Sequence, residues 1–255
     1  MRIATIPKTT LDYVVVEDIS IPNAFHKAVV SDPPFDAVVH TASPYHFKSQ
    51  DNKKYAWLLP PHLRQSLIRA DRPRSTPYSE ADWCPVTEEQ ALANPADGYR
   101  ASKTFAERAA WKFVEDNKPN FTLAVCNPPL VLGPVLHHQD SLASLNTSNE
   151  RILMSGASKP PPADRQPPKD EAAGKRFFMV GGHFLNKQIA EIIGQKFPEL
   201  KESLPTKDAL KTGDYPAIGP YGFDSTRSKS VLGMTYRPLE ESILDAVKSL
   251  QGLGA

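Results

Sequence analysis

Glycine is scarce in this sequence, 13 of 255 residues, while proline reaches 25. An α/β protein that cradles nucleotide phosphates spends glycine on its phosphate turns, so this balance is unusual for one. Cysteine is almost absent: Cys84 and Cys126 stand far apart and form no metal-ligand spacing. That argues against a disulfide framework and predicts a reduced, intracellular protein with no metal centre. Neither sign of charge dominates. The net charge is +1 with 23% charged residues, which removes the footprint expected of a partner for nucleic acid or anionic membranes. Long apolar runs are missing too. None could span a bilayer, and Met1–Lys8 lacks the apolar region of a signal peptide, so a cytoplasmic location is expected.

What is present is the patterning of an α/β chain long enough to bury a full core. Leu11–Ile19 reads as a buried strand ending in an acid, Ile21–Val30 as a short helix, and Asp36–Ala42 as a second apolar strand stopped by Ser43 and Pro44. Strand, helix and strand within about thirty residues is the shape of a βαβ unit. Between Phe47 and Tyr78 the periodicity breaks at Pro60-Pro61 and arginines crowd a segment without an apolar face, which predicts a loop. Phe121–Asn127 and Lys175–Val180 read as further strands. Asn186 is placed to cap a helix over Lys187–Phe197, and Leu239–Leu250 is an amphipathic helix with Leu239, Ile243, Ala246 and Leu250 as its stripe.

The most informative stretch is Tyr99–Trp111, an uninterrupted helical pattern opened by the turn-forming run Asn94–Gly98. Ala101, Phe105, Ala109 and Phe113 recur every four residues, as a buried face would. Tyr99 and Lys103 share that spacing, so a phenol and an ammonium emerge side by side. An ammonium beside a phenol favours the phenolate, which makes the pair a candidate proton donor. With 8 tyrosines, chance alone supplies about half of one such pair, and the motif identifies nothing by itself. His137-His138 lacks a third ligand nearby and reads as surface loop. Gly181-Gly182 mimics a phosphate turn but lacks the third glycine of the dinucleotide fingerprint.

Taken together, Asp36–Pro44, Tyr99–Trp111, Asn127–Pro134 and Leu145–Ser148 resemble the extended short-chain dehydrogenase/reductases. Within that group they are most similar to fungal aldehyde and ketone reductases of the methylglyoxal reductase type, and next to dihydroflavonol and cinnamoyl-CoA reductases. The match runs with gaps from about Tyr13 to Leu250. It implies an incomplete Rossmann-type parallel sheet with a smaller C-terminal lobe on the substrate side. Residues 1–150 would form the cofactor domain, 151–174 a proline-rich linker and 175–255 the substrate-side lobe. It also implies NADP or NAD as cofactor and a small carbonyl compound as substrate. By the same resemblance Tyr99 is the general acid, and Lys103 holds the nicotinamide ribose. Asp18 and Ile19 flank the adenine, and Ala42, Ser43 and Pro44 form the turn beneath the cofactor. Pro128, Val131 and Ser148 line the nicotinamide and substrate end.

Two family features have no counterpart in the sequence: the Gly-x-x-Gly-x-x-Gly phosphate turn and the Thr-Ser-Ser run that supplies a catalytic serine. Ser66, Ser75, Thr76 and Ser79 are candidates for that serine by residue type alone. A third gap falls in the proline-rich 160–170 stretch. Segments dropped from a longer parent would account for all three. The resemblance therefore supports two functional expectations. One is an NAD(P)H-dependent carbonyl reductase; the other is a catalytically impaired remnant without tight cofactor binding.

Overall fold

In a computed structural model, residues 13–19, 21–41, 75–93, 95–135, 169–206 and 219–253 are described. Among them are α1 (His26–Val29), α2 (Glu88–Ala93), α3 (Pro95–Asn117), β1 (Ala124–Asn127), α4 (Lys169–Ala172), β2 (Lys175–Phe178), α5 (Asn186–Lys196), α6 (Thr226–Leu232) and α7 (Leu239–Gln251). A 3-10 helix, Pro198–Ser203, follows α5.

β1 and β2 pair in parallel, with Val125 opposite Arg176 and Asn127 opposite Phe178. Since side chains alternate across a strand, Val125 and Asn127 are buried on one face while Ala124 and Cys126 are exposed on the other. Parallel pairing needs a crossover, and the 47 residues between Asn127 and Lys175 supply ample chain for it. Both strands are shorter than the sequence patterning predicts.

The first two expected strands are not formed. Residues 13–19 and 36–41 are irregular, with Val15 74% and Val39 85% exposed. A β-branched run becomes a strand only where neighbouring strands and a covering face accept it, and among the described residues neither segment joins a sheet. α1 is likewise shorter than the helix expected over Ile21–Val30, and buries no residue. No residue described between 13 and 41 is buried. This segment should therefore open at the lowest free-energy cost. Brief trypsin treatment is expected to cleave after the exposed Lys27 well before the buried Lys103 or the ion-paired Arg176. Survival of the Lys27–Ala28 bond for as long as Lys103–Thr104, read by mass spectrometry, would contradict that order.

α3 is longer than predicted at both ends. Pro95 opens it, where a missing N–H costs nothing, and Asp97 in the first turn accepts a hydrogen bond from Arg100 at 2.7 Å. It stops at Lys118, which adopts φ 44° and donates its N–H to Val114. The helix buries a different face from the expected one. Ala101 is buried with Phe105 against Cys84, Val86 and Ala91 of the α2 region, but Phe113 is 41% exposed and Ala109 is exposed too. The buried residues instead include Tyr99, Lys103, Ala106, Glu107 and Ala110. α2 covers only the first turns of α3, so the apolar repeat loses its partner further along. α2 itself starts with a reciprocal box in which Gln90 N–H donates to Thr87 Oγ1, and Thr87 N–H to Gln90 Oε1, each at 3.2 Å.

Among the described residues the largest apolar cluster lies between α5 and α7: Ile189, Ile193 and Phe197 meet Ile243, Ala246, Val247 and Leu250. Of the predicted stripe of α7, Ile243, Ala246 and Leu250 are buried and Leu239 is half-buried. α5 begins one residue earlier than expected. Its N-cap is Leu185, whose N–H is held by Gln188 Oε1 at 2.7 Å, so Asn186 is the first helical residue and not the cap. The loop after β1 joins this cluster through Leu132, and Val135 N–H donates to Ser249 Oγ of α7 at 2.9 Å. Gly181 is explained by packing alone, because a Cβ there would lie 2.9 Å from the Tyr236 ring.

Candidate functional site

The site is built around the first half of α3. Tyr99 and Lys103 stand one turn apart, and the Lys103 Nζ lies over the Tyr99 ring, 5.0 Å from its centroid. Lys103 is fully buried and Tyr99 is 4% exposed. An ammonium held away from water acts on its neighbours with far less screening than at the surface. This half of the helix is further stiffened by side chains that turn back onto it. Ser102 Oγ donates to the Tyr99 carbonyl at 2.7 Å, and Thr104 Oγ1 to the Arg100 carbonyl at 2.9 Å.

The repeat of four continues past the dyad. Glu107 is fully buried on the next turn, and four hydrogen bonds converge on its carboxylate. Arg176 of β2 donates through Nε at 2.5 Å to Oε1 and through a terminal nitrogen at 3.2 Å to Oε2. Trp111, one turn further along, donates its indole N–H at 3.2 Å, and Asn127 of β1 its amide at 3.4 Å. Arg176 also donates to the carbonyls of Glu80 and Asp82, at 2.5 and 2.9 Å, and its guanidinium stacks 3.8 Å from the Trp83 ring centroid. α3, β1, β2 and the 80–83 segment thus meet at one buried ion pair. The sequence reading missed Glu107, Arg176, Asn127 and Trp83 as a group. Only the position of Glu107, four residues beyond Lys103, was a usable signal.

Pro128 and Val131 follow directly from β1, both half-buried, on the loop pinned by Leu132 and Val135. They therefore leave the carboxyl end of a parallel strand, where ligands bind in sheets of this kind. Asn127, the last residue of β1, is 4% exposed, and its Oδ1 has no hydrogen-bond partner among the described residues. A buried acceptor in that state is costly unless something donates to it. Asp18 is exposed and Ile19 half-buried, on the irregular 13–19 segment. Ala42, Ser43, Pro44 and Ser148 lie outside the described residues, as do Ser66 and His137-His138. Of the serine candidates, Ser79 holds a local turn, accepting from Ala81 N–H at 3.2 Å, and Ser75 and Thr76 are exposed.

Among the described residues no group of His, Cys, Asp or Glu could hold a metal ion, and no helix is long and apolar enough to cross a membrane. A shallow groove lined by Trp83, Arg108, Trp111 and Arg176 does not include Tyr99 or Lys103.

No family model matches the chain. Individual proteins do. It is 42% identical to the ketoreductase AzaE of Aspergillus niger over 93% of this chain and 82% of the relative. A cinnamoyl-CoA reductase of Medicago truncatula is 32% identical over 89% of this chain and 79% of its own length. Among solved structures, yeast methylglyoxal/isovaleraldehyde reductase complexed with NADPH superposes with a TM-score of 0.73 at 25% identity, covering 94% of this chain and 84% of that one.

Proposed function

The chain belongs to the extended short-chain dehydrogenase/reductases, and on that premise we propose that it is an NADPH-dependent reductase of a small aldehyde or ketone. The observation that carries the reading is the buried Lys103 ammonium over the Tyr99 ring, at the start of a helix joined through Glu107 to the carboxyl end of β1. The unpartnered Asn127 Oδ1 beside the Pro128–Val131 loop suits an amide or hydroxyl donor of a bound nicotinamide nucleotide. NADPH, when bound, supplies the hydride that reduces the carbonyl carbon.

The residues of the chain supply the proton and the placement. Tyr99 Oη donates its proton to the carbonyl oxygen as negative charge develops there, which yields the alcohol. Lys103 stabilises the phenolate left behind until solvent returns the proton, and its ammonium holds the ribose hydroxyls. Pro128 and Val131, with Ser148, line the nicotinamide and substrate end. Asp18 and Ile19 approach the adenine, and Ala42, Ser43 and Pro44 pass beneath the cofactor. Residues 1–150 serve the cofactor, 151–174 link, and 175–255 face the substrate, with β2 tied back to β1 in one sheet. A cytoplasmic location belongs to the same proposal.

One observation favours a second reading, an impaired member that does not hold cofactor tightly. The segment that carries Asp18 and Ile19 forms no strand and buries no residue, and no glycine-rich phosphate turn occurs in the sequence. Titration of NADPH into the purified chain separates the two. The reductase is expected to enhance and blue-shift nicotinamide fluorescence with a Kd in the micromolar range, about −8 kcal/mol of binding. A flat response at several hundred micromolar cofactor would establish the impaired member instead.

A further inference from the structure

We propose that Glu107 is a positioning residue for the Tyr99–Lys103 dyad, tethered by Arg176 of β2 and Asn127 of β1. The inference rests on the reductase reading given above. Tyr99, Lys103, Glu107 and Trp111 follow one another at four-residue intervals, so they wind along one side of α3. Glu107 is the point where that side is fastened to the sheet. Its two oxygens take Arg176 in a bidentate grip, whose planar geometry restricts rotation better than a single contact would. The Asn127 amide reaches the same carboxylate from the strand that leads into Pro128. Arg176 is in turn held by two backbone carbonyls and by Trp83, so it is not free to follow the helix.

The lever is short. A side-chain tip rides about 6 Å from the helix axis, so a roll of about 10° displaces it by about 1 Å. Misplacement of that size can cost about 10²-fold in rate. Apolar packing holds this helix at Ala101 and Phe105 but thins past Ala110, where Phe113 is 41% exposed. The ion pair adds a fixed stop at Glu107, between the apolar contacts at Ala101 and the exposed end of the helix.

Two variants test the assignment. Glu107→Gln keeps the shape of the side chain and removes its charge. Its expected signature is a drop in kcat of about tenfold to a hundredfold, with the NADPH Kd within about threefold of wild type. The double variant Glu107→Met/Arg176→Met replaces the pair by apolar side chains, which restores much of the stability lost by breaking a buried pair. If the pair only holds the fold together, kcat recovers with stability in the double variant, and the proposal fails. If it sets the roll of α3, stability recovers and kcat stays low. An unaltered kcat per folded molecule in Glu107→Gln also overturns it, whether or not the double variant folds. Should the wild-type chain reduce no carbonyl compound, the reductase reading falls by itself. The tether is then judged by amide hydrogen exchange of residues 99–104: about tenfold faster exchange in Glu107→Gln than in wild type, relative to the α5–α7 core amides, supports it, and equal exchange refutes it.

Discussion

Tyr99→Phe is expected to lower kcat for carbonyl reduction by about 10²–10⁴-fold while the NADPH Kd moves by no more than about threefold. The substitution removes one oxygen and leaves the ring. That ring is 4% exposed and carries the Lys103 ammonium over its face, a contact that phenylalanine also accepts. The ring and its packing are kept, so the helix and the cofactor contacts should persist. Only the proton donor goes. The measurement is single-turnover decay of NADPH absorbance with an activated aldehyde, alongside a fluorescence titration of cofactor. Residual turnover within tenfold of wild type would remove Tyr99 from the role of acid. A large rise in Kd would instead place it in cofactor binding.

How far the sequence could be read depends on how local each feature is. Helical stripes are local, and α7 buries Ile243, Ala246 and Leu250 of the stripe its sequence shows. The box at Thr87 and Gln90 was equally local and went unread. Strands depend on partners elsewhere, and there the reading divided. Val125 in β1 and Phe177 in β2 found each other's strands, whereas Val14, Val15, Val38 and Val39 lie in runs richer in β-branched residues and remain exposed. A run of valines records a capacity for pairing and says nothing about whether a neighbour is present. The dyad was legible because its two members share one helix. The Glu107–Arg176 pair was not, since 69 residues separate its members and no propensity links them. Knowledge of a family located Tyr99 and Lys103, but the reason for their fixed placement emerges only from the packing.

Arg176→Met is expected to destabilise the fold by about 3–5 kcal/mol, the cost of stranding one member of a buried ion pair. Glu107 is fully buried, and without Arg176 its carboxylate keeps only the indole N–H of Trp111 and the long amide contact from Asn127. Two backbone carbonyls, of Glu80 and Asp82, lose this donor in the same step, and Trp83 loses the nearer of its two cations, keeping Arg108 at 5.2 Å. Methionine fills most of the vacated volume, so the loss measures charge and hydrogen bonding more than a cavity. In urea the midpoint should fall by at least about 1 M, given slopes of about 1–3 kcal/mol/M. The exposed pair between Lys112 and Asp116 on the same helix is the internal control, for Lys112→Met should leave the midpoint where it was. An Arg176→Met midpoint that also stays in place would mean that the carboxylate finds water when its partner leaves. The junction of α3, β1 and β2 would then be a solvated contact, too weak to set the position of any residue on the helix.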